Sequence, residues 1–209
     1  MPTVIEPPIQ VCAPPLVPTR KRWTRAECSL VEAAGLWKSE RIELIQGELL
    51  NRMGKNRPHA NAASGLYLWL ARVFGPEFVQ TEVPIDVAAE DNETNEPEPD
   101  IIVLNQPYYA FPTANPGPPD LRLVVEVSDS TLTFDLTTKA ALYARAQIAE
   151  YWVLDVQGRR LLVHSEPAGS RFRRIIAFAE NEQVAPLASP GTLFPVAAAF
   201  LSSRSDQTS

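Results

Sequence analysis

The chain has 209 residues, 45% of them hydrophobic and 21% charged, with a formal net charge of −6. That length builds one sizeable core and one domain, and the negative balance excludes a broadly basic, nucleic-acid-coating surface. Cys12 and Cys28 are the two cysteines; with no further pair or histidine at ligand spacing, they exclude a disulfide framework and a zinc site.

No apolar run approaches the ~18 residues that a membrane span needs. The N-terminus opens on prolines instead of a basic segment followed by an apolar one, so no secretory signal is expected. These features predict a cytoplasmic protein without a membrane partner. Basic groups gather locally at Arg20, Lys21, Arg22 and Arg25, and again at Arg171, Arg173 and Arg174. Affinity for nucleic acid is therefore expected to be modest and strongly weakened by salt.

Residues 1–20 hold Pro2, Pro7, Pro8, Pro14, Pro15 and Pro18, which remove amide donors and favour extended backbone, predicting a flexible arm. A single domain is expected over 21–201, and the polar, Ser-rich residues 202–209 predict a disordered tail. The body opens with a short helix over 25–34. Ile42 to Leu44 and Glu48 to Leu50 then flank Gln46-Gly47, a hairpin signal because glycine tolerates positive φ. Ala62, Leu66, Leu70 and Val73 recur at helical spacing and predict a helix over 59–74 whose apolar stripe packs on a sheet.

Over 78–87, Val79, Thr81, Val83 and Ile85 alternate with Gln80, Glu82 and Pro84, predicting a strand with one wet face. An acidic loop follows over 90–98. Ile101 to Leu104 and Leu121 to Val127 are nearly continuous aliphatic runs, the pattern of central strands buried on both faces. Between them lies a loop rich in proline and aromatic residues, with Tyr108, Tyr109 and Phe111. A second helix is expected over 134–147, with Leu136, Ala140, Tyr143 and Ala144 on one side. Strands over 150–155 and 160–164 follow, joined at Gln157-Gly158. This order predicts an α/β (α+β) sandwich around a mixed sheet, with the hairpin added on the N-terminal side.

Two acidic residues stand inside otherwise apolar sequence: Asp100 at the start of one buried run and Glu126 near the end of the other. Taken singly, Asp100 reads as a cap for the turn after Pro99, and Glu126 as the partner of Arg122 or Arg145. Taken together they read differently, because a buried carboxylate without compensation costs several kcal/mol. If the two strands are neighbours, a hard divalent cation such as Mg²⁺ answers the need with one or two carboxylates and waters. Lys139 supplies a third element: Asp135 and Lys139 are four apart, and their helix begins a few residues after Glu126. An ammonium there could offset charge building on a phosphorane.

Pro99-Asp100 followed by Glu126-Val127-Ser128 resembles the PD-(D/E)xK nuclease signature. The longer string VVEVSDSTLTFD with Lys139, Tyr143 and EYWVLD, together with RIELIQGEL and His59, resembles the Uma-two family of endonucleases, over roughly Trp23 to Phe200. The resemblance implies a restriction-endonuclease-like mixed sheet flanked by helices. It implies Asp100, Glu126 and the Val127 backbone carbonyl as ligands of Mg²⁺ or Mn²⁺, Lys139 as the catalytic lysine, and DNA as the substrate. Ser128 occupies the place where the signature carries lysine, so the cation must migrate onto the following helix.

Glu43 and Glu48 flank the hairpin and either could add a carboxylate to the site, with Glu48 the expected one. His59 could contact phosphate, although a histidine at a helix start is also an ordinary capping residue. The tyrosines of the loop could stack on bases or cover the core. The expected protein is a metal-dependent endonuclease, possible as a homodimer because double-strand cleavage needs two sites. The alternative is a catalytically inactive relative that binds nucleic acid or protein.

Overall fold

The computed structural model describes residues 19–37, 40–51 and 56–200. The expected arm, apart from residues 19 and 20, lies outside the described residues, as do Cys12 and the tail. Helix α1 (Arg25–Ala33) opens with a capping box in which Thr24 and Glu27 satisfy each other's backbone amides. Strands β1 (Ile42–Ile45) and β2 (Glu48–Asn51) form the expected hairpin as a separate two-stranded sheet. Gln46 at φ 53° and Gly47 at φ 74° make its tight left-handed turn.

Helix α2 (Arg57–Phe74) starts two residues before the sequence signal, because the Asn56 side chain accepts from His59 N–H and Pro58 is tolerated in the first turn. Its stripe of Ala62, Leu66 and Leu70 is buried as expected. The strand expected over 78–87 is only β3 (Val79–Gln80). Glu82 takes φ 56° and Pro84 has no amide to donate, so ladder pairing stops. The rest of the segment binds a loop instead: Glu82 N–H donates to Pro99 O and Ile85 N–H to Pro97 O.

Strands β4 (Ile101–Leu104) and β5 (Leu121–Ser128) are the central pair and run antiparallel. The expected second helix is composite: α3 (Leu132–Phe134), a π-helical stretch Asp135–Lys139, and α4 (Ala140–Arg145). After it, β6 (Glu150–Asp155) runs parallel to β5, and β7 (Arg160–Ala168) and β8 (Arg171–Ala179) complete an antiparallel run. The strand expected over 160–164 runs on to Ala168, and the basic group of Arg171, Arg173 and Arg174 is exposed on an edge strand, where arginines suit an unpaired border. Short β9 (Gln183–Val184) and β10 (Phe194–Pro195) pair apart from the main sheet.

The main sheet has the order β3-β4-β5-β6-β7-β8 and is mixed. On one face α2 packs on Ile101, Val103, Leu123 and Val125. On the other, α4 packs through Leu142, Tyr143 and Ala144 against Ile102, Val124, Tyr151 and Val153. Among the described residues no helix is long and apolar enough to cross a membrane.

His164 is buried beside Tyr151 and Phe172, and burial pushes its pKa below the ordinary value of 6.5. The unfolded chain therefore takes up this proton more readily, and stability falls as pH drops through about 6.5. His164→Phe should flatten the decline in melting temperature between roughly pH 6.5 and 5; an unchanged acid limb would contradict the assignment.

Candidate active site

Side chains alternate across a strand, and in β5 that alternation decides the site. Leu123, Val125 and Val127 face α2, so Val124, Glu126 and Ser128 face α4. The β4–β5 register pairs Ile101 with Val125 and Ile102 with Val124; one step further sets Asp100 opposite Glu126, on the same face. Asp100 Oδ2 accepts the Val127 N–H at 2.7 Å, which fixes the carboxylate against the end of β5. Both acids are buried.

Lys139 reaches them from the helix. Its Nζ lies 2.9 Å from Glu126 Oε1 and 2.8 Å from Glu43 Oε1, and the Tyr143 hydroxyl donates to the same Glu126 oxygen at 2.9 Å. The expected Arg122 and Arg145 partners are engaged elsewhere: Arg122 lies over the Phe74 and Phe78 rings, and Arg145 binds Asp91. Lys139 and Tyr143, four apart, share a face as expected, but Asp135 turns from that line. Asp135 accepts the hydroxyls of Ser128 and Thr131, each at 2.6 Å. In the π-helical stretch the Ala140 N–H reaches back to Asp135 O, and the Tyr151 hydroxyl donates to that carbonyl at 3.1 Å. A π segment re-aims side chains without ending the helix and recurs at functional sites.

Glu43, Asp100, Glu126, Asp135 and Lys139 line a cavity of about 540 Å³. His59 Nε2 lies 3.4 Å from Asp100 Oδ2, and its Nδ1 is buried without a hydrogen-bond partner among the described residues. Asp129 lies at the rim, held by the side chains of Gln157 and Asn56. Glu48, the expected extra carboxylate, is on the hairpin but away from this cavity, 64% exposed and 3.9 Å from Arg20. Glu43 takes that place. Its Oε1 also accepts the Glu98 N–H at 3.0 Å, which ties the hairpin to the loop before β4. The signal that could have chosen Glu43 was its alternation: Ile42-Glu43-Leu44 sets one acid amid aliphatic neighbours, whereas Glu48 adjoins the turn.

Four buried carboxylates, Glu43, Asp100, Glu126 and Asp135, line the cavity that holds the Lys139 ammonium, which contacts Glu43 and Glu126. Burial first, and then the neighbouring acids, push Glu126 up to about 8, against the pull of Lys139. Burial likewise raises Asp135, opposed by Lys139 and the two hydroxyls. Burial pulls the Lys139 ammonium down, but Glu126, Glu43 and Asp135 outweigh it and hold it well above an ordinary lysine. Lys139 is therefore a fixed positive charge, not a base, and the excess of acid favours a bound cation or proton.

The donor chemistry fits a hard divalent cation. Asp100 and Glu126 offer carboxylate oxygens on adjacent strands, and Val127, which also lines the cavity, brings a backbone carbonyl. Mg²⁺ commonly takes one or two carboxylates and keeps waters. Among the described residues no group of three or more His, Cys, Asp or Glu is gathered tightly enough to hold a metal alone, so substrate oxygens and water would complete the shell.

A mixed sheet with two carboxylates brought abreast on neighbouring strands, and helices on both faces, defines a restriction-endonuclease-like fold. Residues 35–197 match the Uma2 family, described as "Putative restriction endonuclease". With well over half its length inside that match, the chain belongs to this family. A solved structure similar to it is that of "a putative nuclease belonging to DUF820" from Anabaena variabilis, with TM-score 0.58 and 14% identity, covering 77% of this chain and 90% of that one. At that identity the likeness speaks for the fold. Comparison with curated proteins gives no match.

Two outcomes follow from the charge arrangement. Lys139→Met should cost about 3–5 kcal/mol in urea unfolding, because it strands two buried acids; a neutral effect would show that Lys139 does not hold them. Glu126→Gln mimics the protonated acid and should fold normally. Because the folded value near 8 lies above the usual 4.5, folded wild-type protein binds more protons within that window and loses stability as pH rises through it. The melting temperature of Glu126→Gln should decline less than that of the wild type between those limits.

Proposed function

We propose that the protein is a divalent-metal-dependent endonuclease that hydrolyses phosphodiester bonds, with DNA as substrate. The single observation that carries this reading is the convergence of Asp100 and Glu126 from adjacent strands on one cavity, with Lys139 Nζ 2.9 Å from Glu126. Family membership supports the nuclease class. Asp100, Glu126 and the Val127 carbonyl would hold Mg²⁺ or Mn²⁺, which when bound supplies Lewis acidity toward a phosphate oxygen and makes a water easier to deprotonate.

The protein's own groups do the rest. Asp100 is held in place by the Val127 amide and leans toward His59, which would orient a water or phosphate at the cavity wall. Lys139 keeps its proton, so it stabilises negative charge that develops on the phosphorus oxygens. Tyr143 fixes the Glu126 carboxyl. Cutting both strands of a duplex would need two such sites, which a homodimer supplies.

A second reading, a binding protein without catalysis, is favoured by one observation: Lys139 is engaged by Glu126 and Glu43 at once, and Ser128, in the usual lysine position, is committed to Asp135. Adding Mn²⁺ separates the readings. At about 100 times its dissociation constant the metal should stabilise the protein by on the order of 2.7 kcal/mol. Asp100→Asn should abolish that shift together with Mn²⁺-dependent cleavage of plasmid DNA. A metal shift without cleavage of DNA supports the binding protein, and no metal shift overturns the metal-dependent nuclease.

A further inference from the structure

The cluster at Arg20, Lys21 and Arg22 is not absorbed by the site above, and the fold gives it a definite seat. Trp23 N–H donates to Gly47 O at 2.9 Å and Gly47 N–H to Thr94 O at 2.8 Å, so this segment is pinned on the hairpin turn. Gly47 has φ +74°, and a Cβ there would lie 2.8 Å from Arg22 Cβ. Only the missing side chain lets the Arg22 stem lie across the turn. The groove so formed has a volume of about 640 Å³, and Glu48 is its only acid among the described lining residues.

This groove adjoins the acidic cavity at Leu50, which lines both. Glu48 and Leu50 are two apart on β2 and therefore share one face of the hairpin. Leu50 pairs with Glu43 in the hairpin register, and it lines both the groove and the cavity that contains Glu43, Asp100 and Lys139. The basic groups are differently committed. Arg25 is spent inside the fold, donating to Asn95 O at 2.6 Å and Ile85 O at 3.1 Å. Lys21 is held by Glu27 at 2.7 Å. Arg20 is 94% exposed and reaches Glu48 only at 3.9 Å, a pairing that solvent screens and a stronger anion can displace.

The carboxylates that line the cavity repel a polyanion, and cations beside its approach offset that repulsion. We propose that the groove between residues 20–22 and the hairpin seats the sugar–phosphate backbone of DNA and guides it along β2 into the cavity. The proposal rests on the nuclease reading for its substrate and adds the route by which that substrate enters.

The test is fluorescence anisotropy with a labelled DNA duplex of about 20 base pairs in EDTA, which prevents cleavage, titrated from about 50 to 200 mM NaCl. Arg20→Gln/Arg22→Gln should bind roughly tenfold more weakly at the low-salt end, with a slope of log affinity against log salt shallower by about 1.8, or ~0.9 per lost phosphate contact. Arg171→Gln/Arg173→Gln, on the far edge of the sheet, should leave the slope unchanged. An unaltered slope in the groove variant, an equal loss in the edge variant, or a wild type that does not bind the duplex would each overturn the groove. Mn²⁺-dependent cleavage by the wild type judges the nuclease reading separately: a changed slope without cleavage keeps the groove and removes the nuclease, and cleavage with an unchanged slope does the reverse.

Discussion

The Lys139 ammonium, held between Glu43 and Glu126, is the interaction on which the rest of this structure turns. Each of the three groups comes from a different layer: the hairpin, the central strand and the helix that covers the sheet. None can be buried alone, since removing an ion from water costs several kcal/mol unless charge and hydrogen bonds compensate it. The salt bridges therefore fix the hairpin against the sheet and the helix over it.

Around that charge the polar groups satisfy each other in sequence. Ser128 gives its hydroxyl to Asp135, and Lys139, four residues beyond that aspartate, reaches Glu126 from the helix. In the widened turn the Asp135 carbonyl accepts both the Ala140 N–H and the Tyr151 hydroxyl, and Lys139 and Tyr143 meet on one oxygen of Glu126.

Much of the fold was legible because burial on two faces leaves an unmistakable pattern: Ile101 to Leu104 and Leu121 to Val127 are aliphatic apart from the acid that matters. Strand 78–87 was misread because alternation alone ignores what Pro84 and the positive φ of Glu82 do to a ladder. Strand β8 was missed because its exposed arginines masked the buried Phe172 beneath them. In the site, Asp100, Glu126 and Lys139 stood out as charged residues beside apolar runs. Glu43 shows the same mark more faintly, as one acid among Ile42, Leu44 and Ile45, but nothing local tells which distant residue it will meet.

Sequence by itself determined the local facts: which strands are buried, that Gln46-Gly47 turns, that the apolar stripe of Ala62, Leu66 and Leu70 is helical, and that two carboxylates enter apolar strands. These are short-range consequences of side-chain chemistry and backbone sterics. Only the tertiary structure decided that Asp100 and Glu126 fall abreast, that Glu43 and not Glu48 joins them, and that Arg20 and Arg22 flank a groove while Arg25 is consumed inside. Register, layer contacts and the widened helical turn bring together residues more than fifty positions apart, such as Glu43 and Glu98, and no local pattern encodes a distance set by the packing of the whole chain.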